Sequence, residues 1–139
     1  MTEATGRPPI LLRTVLLIHG AITLSGAVLM IVFPRAIPAA VGIDLRPDDY
    51  LLVYLVAAAE LAAAVLSFGA VRLTDRSALW LVVATLVVLH GASGLLNVLY
   101  ASQIGWSTVL VGNTCARAAA VAVLLFAWRS GMRVRAHQT

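Results

Sequence analysis

The chain has 139 residues, of which 61% are hydrophobic and 12% are charged, and it carries a formal net charge of +4. Soluble domains of this length average about 25% charged residues. This composition therefore excludes a water-soluble enzyme, a nucleic-acid-binding module and a disordered regulator. Four long apolar runs occupy most of the chain, and such runs are typical of membrane-spanning helices. The sequence predicts a single membrane domain over residues 1–139, an all-α four-helix bundle.

The four predicted spans cover residues 11–33, 50–71, 78–100 and 107–128. Pro34 and Pro38 mark the end of the first span, because proline interrupts a helix. Each span is long enough to cross a hydrocarbon core about 30 Å thick at about 1.5 Å per residue. The runs do not alternate between polar and apolar residues, as β-barrel strands would. The first run exceeds the apolar stretch of a secretory signal, so we expect it to remain as a span.

The distribution of arginine predicts the orientation in the membrane. The N-terminal tail, the second loop and the C-terminal tail together hold seven arginines: Arg7, Arg13, Arg72, Arg76, Arg129, Arg133 and Arg135. The first and third loops hold only Arg35 and Arg46. Because positively charged loops stay in the cytoplasm, both termini are predicted to be cytoplasmic and the protein to be a multi-pass protein of the cell membrane.

Two halves of the chain resemble each other. The first span contains His19-Gly20-Ala21 and the third contains His90-Gly91-Ala92, while Val65–Phe68 of the second span is similar to Val123–Phe126 of the fourth. Each half would start on the same side of the membrane, which predicts two parallel helix-pair repeats about an axis along the membrane normal. The alternative is chance similarity among helices rich in Ala, Val and Leu.

Each span carries one ionisable side chain in its interior. Glu60 is the only acid within a span, His90 and Arg117 are similarly central, and His19 is expected nearer the cytoplasm. At about 1.5 Å per residue, the first three should lie at almost the same depth. Charged groups facing lipid cost several kcal/mol, so these side chains should turn inward and pair.

Helical spacing extends this cluster into a candidate site. Asn97 lies seven residues after His90, and Asn113 lies four before Arg117. The candidate catalytic residues are Glu60, His90 and His19, and the candidate substrate-binding residues are Arg117, Asn97, Asn113 and Tyr54. A structural ion pair and ordinary core histidines are the alternatives. No metal-ligand spacing such as HExxH occurs. Because the two histidines are expected at different depths, we predict neither haem nor another cofactor.

Several short motifs resemble DoxX-like membrane proteins. The second span contains Ala59-Glu60-Leu61, then Leu66-Ser67-Phe68-Gly69, and Arg72 follows; the first span ends in Phe33-Pro34, with Gly42 beyond it. This resemblance implies a four-helix bundle and carries over Glu60 alone. Some members of that family accompany quinone-linked oxidoreductases, and many have no assigned activity. The histidine pair and Arg117 are not part of the family pattern.

Three functions follow from these observations. The leading hypothesis is binding of a lipophilic small molecule inside the bundle, with acid–base chemistry of the isomerase or cyclase type at the Glu/His/Arg cluster. The alternatives are a non-catalytic DoxX-like subunit or scaffold for a redox or biosynthetic partner, and a proton-coupled exporter. Whether the protein is an enzyme stays open. The expected partners are the lipid bilayer and a lipophilic molecule, not nucleic acid, and a homo-oligomer or a membrane partner stays open.

Overall fold

A computed structural model describes the backbone of residues 8–136 and the side chains of residues 8–131, so Arg7, Arg133 and Arg135 lie outside the described side chains. The helices are α1 (Ile10–Val32), α2 (Ala36–Ala40), α3 (Tyr50–Ala70), α4 (Arg76–Ile104) and α5 (Thr108–Ala136), with a 3-10 turn at Pro47–Asp49. The described residues contain no strand, which confirms the all-α prediction. Four helices are long and apolar enough to cross a membrane. The chain is therefore a small multi-pass integral membrane protein.

Local signals explain where the helices begin and end. The Asp75 carboxylate accepts a hydrogen bond from the backbone N–H of Ser77 at 2.7 Å and so caps the start of α4. The same helix ends at Gly105, whose φ of +98° is accessible mainly to glycine. The apolar runs predicted shorter third and fourth spans, because hydropathy marks the lipid-facing length and not the point where the helix stops.

The four long helices form a ring built from two hairpins. The most extensive contacts join α1 to α3 and α4 to α5, followed by those of α1 with α5 and of α3 with α4. Helices α1 and α4 therefore face each other across one diagonal, and α3 and α5 across the other. We call the end that carries residue 10 and the α3–α4 loop the terminal end, and the opposite end the distal end.

Two apolar cores of unequal size lie inside this ring. The terminal core draws on all four long helices and on Val71 just after α3, and its buried residues are Leu12, Leu16, Ala63, Ala70, Val71, Leu79, Val83, Leu86, Leu124 and Ala127. The distal core consists of Met30, Val53 and Ala57, with Leu45 packed against them. Its residues come only from α1, α3 and the connection between them. The polar side chains lie between the two cores.

Candidate polar site in the bundle interior

The two intramembrane histidines meet across the diagonal between α1 and α4. The Nε2 atoms of His19 and His90 are 2.6 Å apart, and the rings are nearly perpendicular at 79°. Both side chains are buried, with exposed fractions of 8% and 7%. The two rings are therefore in contact, although His19 and His90 lie at different distances from the starts of their helices.

A directed chain of hydrogen bonds orients the histidine pair. The Ser67 hydroxyl donates to the carbonyl oxygen of Ala63 at 2.7 Å, and its oxygen lies 2.8 Å from Nδ1 of His19. Because the hydroxyl proton is already used, His19 donates through Nδ1–H to Ser67. A neutral His19 then accepts at Nε2, so the donor across the 2.6 Å contact is Nε2–H of His90. The order of donation therefore runs from His90 through His19 to Ser67.

This order leaves one nitrogen of His90 as an acceptor. In a neutral imidazole that carries its proton on Nε2, the Nδ1 atom has a lone pair that can accept a hydrogen bond. Nδ1 of His90 is buried and has no hydrogen-bond partner among the described residues. Buried polar atoms normally find partners, and an exception calls for an explanation such as a functional role. The chain of hydrogen bonds thus ends in a buried, basic nitrogen at the centre of the bundle.

The second diagonal is crossed by an ion pair. Nη2 of Arg117 on α5 lies 3.6 Å from Oε1 of Glu60 on α3, and the side chains are 19% and 14% exposed. These two predicted site residues do turn inward and meet, as the cost of charge in lipid requires. The partner of the Glu60 carboxylate is thus the guanidinium of Arg117. The histidine rings form their hydrogen bonds with each other and with Ser67.

Three further polar atoms lie unpartnered between α4 and α5. Asn97 Nδ2, Thr114 Oγ1 and Arg117 Nε are buried and have no hydrogen-bond partner among the described residues. A Cβ added at Gly94 would lie 3.7 Å from the Cβ of Arg117, so these positions face each other. Because the helices are antiparallel, three residues from Gly94 to Asn97 match three residues from Arg117 to Thr114. The amide and the hydroxyl therefore lie at the same level.

Sequence reasoning assigned no role to Thr114 or Ser67. The signal for Thr114 was its position three residues before Arg117, which places both on one helical face. The signal for Ser67 was its position seven residues after Glu60, which places both on one helical face, but its contact with His19, 48 positions away, is visible only in the structure. Short hydroxyl side chains are common in membrane helices, and the sequence does not distinguish the one that orients a histidine.

Two predicted substrate-binding residues lie outside this cluster. Asn113 is exposed, because the inward positions of α5 are those of Leu110, Thr114 and Arg117, one place further along the helix. The side chain of Tyr54 is 43% exposed, and its ring packs edge-on against Tyr50 with centroids 6.4 Å apart. The structure does not bring either side chain to the histidines.

One glycine beside the histidines is required by close packing. A Cβ on Gly20 would lie 2.8–3.0 Å from three carbon atoms of the Phe68 ring, which packs on α1 at this point. By contrast, a Cβ on Gly91 would meet nothing within 4 Å. The two His-Gly pairs therefore differ, since only the first glycine is in close contact with an aromatic ring.

Comparison of the chain with protein-family models, curated proteins and solved structures finds no match. The DoxX-like resemblance accordingly stays a prediction. Among the described residues, no group of three or more His, Cys, Asp or Glu side chains is arranged to hold a metal ion. The site is defined by its own geometry: a histidine pair with one basic nitrogen, an ion pair and three hydrogen-bond donors.

Proposed function

We propose that this membrane protein binds a lipophilic small molecule inside the bundle and exchanges a proton with it at His90. The observation that carries the proposal is the buried Nδ1 of His90, which has no partner and ends a directed chain of hydrogen bonds. Histidine is the side chain best suited to gain and lose a proton near neutral pH. A molecule that reaches this nitrogen must be soluble in lipid, because the surrounding helices are apolar.

The neighbouring groups prepare His90 to act as a base. When Nδ1 takes a proton, the ring becomes an imidazolium that still donates through Nε2–H to His19. His19 holds the matching lone pair in place because Ser67 accepts its other proton. Ser67 and His19 are thus positioning residues, and His90 is the group that would touch the ligand. General acid–base catalysis of this kind contributes about 10²–10⁴-fold to a rate.

A balanced reaction needs no further reactant. His90 would remove a proton from one carbon of an unsaturated ligand, where conjugated double bonds join that carbon to a carbonyl group, and return it to another carbon of the same molecule. The net change is an isomerisation, in which a double bond moves and nothing is oxidised or reduced. This is the isomerase-type chemistry predicted from the sequence, with the base assigned to His90 in place of Glu60.

Ligand binding is tested with molecules that copurify with the protein. The wild-type chain, His90→Gln and the control Thr85→Val are extracted in polymer-bounded native bilayer particles, and the bound lipids are compared by mass spectrometry. Thr85 is a suitable control because its hydroxyl lies on the exposed face of α4 and bonds only to the carbonyl of Leu81. We expect one lipophilic species to be enriched in the wild type and in Thr85→Val, and depleted in His90→Gln.

Proton exchange is tested on the same species. Incubated with the purified protein in D₂O, a ligand deprotonated at carbon gains deuterium, and His90→Gln should abolish the gain. Identical extracts from three folded proteins, without deuterium uptake, would contradict the proposal and support a structural role as scaffold or subunit.

The order of hydrogen bonds has its own spectroscopic test. In ¹⁵N-histidine-labelled protein carrying His137→Gln, only His19 and His90 remain. We expect the Nδ1–H form for His19 and the Nε2–H form for His90. Ser67→Ala removes the acceptor of His19, so the two tautomers of each ring should become about equally populated. Unchanged tautomers in Ser67→Ala would show that Ser67 does not orient the pair.

The position of charge supports cytoplasmic termini. In the distal connection, Arg35 forms an ion pair with Asp44, and Arg46 lies 3.8 Å from Asp48. The terminal end carries the larger number of arginines, which favours its retention in the cytoplasm. On a Cys115→Ser background, Gln103→Cys should react with an impermeant thiol reagent on intact cells, and Thr74→Cys only after permeabilisation. The reverse pattern would contradict this orientation.

The ion pair weakens the exporter alternative. A proton-coupled exporter would alternate a proton and a cationic substrate on the Glu60 carboxylate, which in this structure lies beside the guanidinium of Arg117. A cationic substrate would have to displace that internal cation from a largely buried position. The histidine pair has no such competitor at Nδ1 of His90.

A further inference from the structure

We infer that the distal halves of α4 and α5 form a carbonyl-binding subsite between them, made of Asn97, Thr114 and Arg117. This inference rests on the proposed function, since it names the chemical class of the ligand that His90 would act on. The three side chains present buried polar atoms without partners among the described residues. Two of them are obligate donors, an amide N–H and a guanidinium N–H, and the third is a hydroxyl that donates or accepts.

The placement of these atoms matches one small ligand. Asn97 and Thr114 share a level, and Arg117 lies one turn of α5 deeper, beside Gly94. His90 follows on α4, seven residues from Asn97, which corresponds to about 10 Å along the helix axis. A ligand oxygen held by the donors would therefore be joined by a chain of several bonds to the carbon atom that lies at the basic nitrogen of His90.

The charges at this subsite favour a ligand with a neutral oxygen. Arg117 already faces Glu60 through Nη2, so the pair brings no net charge, and its Nε–H is the atom left free. A carboxylate ligand would add an unbalanced negative charge at the centre of the membrane, which costs several kcal/mol. A ketone, ester or amide oxygen accepts the same hydrogen bonds without that cost. When His90 removes a proton from a carbon joined to this carbonyl through conjugated double bonds, the donors would stabilise the negative charge that develops on the oxygen.

The two apolar cores differ in how they pack α4 and α5. The terminal core includes residues of all four long helices, whereas the distal core belongs to α1, α3 and their connection. In their distal halves, α4 and α5 contribute the buried residues Ala101 and Leu110, which lie near the loop between them. The donor cluster thus occupies a part of the bundle that no four-helix apolar core fills among the described residues.

Benzophenone is a suitable probe, because it is a neutral, lipophilic ketone that crosslinks to nearby C–H bonds in near-ultraviolet light. The purified full chain in lipid nanodiscs is irradiated with increasing benzophenone, and the modified residues are mapped by mass spectrometry. The competitor is 1,1-diphenylethylene, which has the same shape but carries CH₂ where the ketone has oxygen. We expect saturable labelling of the distal halves of α4 and α5 that this hydrocarbon competes for weakly.

Isosteric variants test the donors. Thr114→Val and Asn97→Leu should each raise the half-saturating concentration of benzophenone about five-fold, the effect of one lost hydrogen bond. Thr85→Val should leave it unchanged. Circular dichroism and gel filtration establish folding, and Thr114→Val alone suffices if the Asn97 variant does not fold. Labelling spread over all helices, equal competition by the hydrocarbon, or unchanged half-saturation in a folded Thr114→Val would each overturn the inference.

The outcome is separable from that of the proposed proton exchange. Benzophenone has no carbon-bound proton beside its carbonyl, so its labelling reports binding alone. Labelling that persists in His90→Gln, together with absence of deuterium uptake in the wild type, would retain the subsite and reject the chemistry. Deuterium uptake that depends on His90 but is unaffected by Thr114→Val and Asn97→Leu would retain the chemistry and reject the subsite.

Discussion

The terminal and distal halves of the bundle are built differently. In the terminal half, large aliphatic side chains from opposite helices are completely buried, among them Leu16, Leu86 and Leu124. In the distal half, the apolar core is a small patch between α1 and α3. The polar layer of His19, His90, Glu60 and Arg117 separates the two halves.

This difference indicates that the layers of the bundle along the membrane normal contribute differently to the fold. Apolar packing at the terminal end holds the four helices together, and the polar layer sets their rotation, because each diagonal has a specific partner. The distal half contributes less to holding the four helices together and to setting their rotation. Its buried donors without partners cost free energy, and the packing of the terminal core offsets this cost.

The largest effect is expected at the ion pair in the polar layer. Glu60→Gln leaves the charge of Arg117 without its partner in a largely buried position, and should cost about 3 kcal/mol of the free energy of unfolding. Adding Arg117→Gln removes the stranded charge, so the double variant should be milder than the sum of the single variants. Unfolding by SDS titration in micelles measures all three. Strict additivity would mean that the pair does not join the two hairpins.

A matched pair of valines compares the two halves directly. Val83 lies in the terminal core with no exposed surface, and Val53 lies in the distal core with 8% exposed. We expect Val83→Ala to cost about 2 kcal/mol and Val53→Ala about 1 kcal/mol, because a small core with fewer neighbours relaxes more easily around the cavity. The same SDS titration measures both. Equal losses would show that the distal core is packed as tightly as the terminal one.

A smaller effect is expected where α1 meets α3. Gly20→Ala places a Cβ 2.8–3.0 Å from the Phe68 ring, whereas Gly26→Ala meets nothing within 4 Å. Because Phe68 is 37% exposed and can move outward, the overpacking should cost only about 1 kcal/mol. Thermal unfolding followed by circular dichroism should rank Gly20→Ala below Gly26→Ala. The opposite ranking would place the close approach of α1 and α3 elsewhere.

The helices could be predicted from the sequence because hydropathy and length act over whole segments. Inward placement of Glu60 and Arg117 was equally predictable, since a charge in lipid has few alternatives. The contact between His19 and His90 was not, because residue counts along each helix do not show how far a side chain reaches across the bundle. Asn113 shows the same limit in rotation: its four-residue spacing from Arg117 favours one face, yet the side chain is exposed. The side of a helix that turns inward depends on how the other helices pack against it.

The similarity of the two His-Gly-Ala segments acquires a physical meaning in this arrangement. If the halves are repeats, His19 and His90 are equivalent residues, and they meet across a diagonal as equivalent residues would at a twofold axis. In the alignment of Val65–Phe68 with Val123–Phe126, the position of Ser67 is occupied by Leu125. A leucine carries no hydroxyl group, so under this pairing Nδ1 of His90 has no counterpart of Ser67.

The contact between the two imidazoles also makes the centre of the bundle amphoteric. Moving one proton from each ring to its other nitrogen reverses the 2.6 Å contact without changing the total charge. The reversed form loses the bond from His19 to Ser67, and such a bond between membrane helices contributes about 0.6–1 kcal/mol. Its equilibrium population is therefore on the order of a fifth of the molecules. Nδ1 of His90 accepts a hydrogen bond in the major population and donates one in the minor population. A bound molecule that donates therefore selects the major form, and one that accepts selects the minor form.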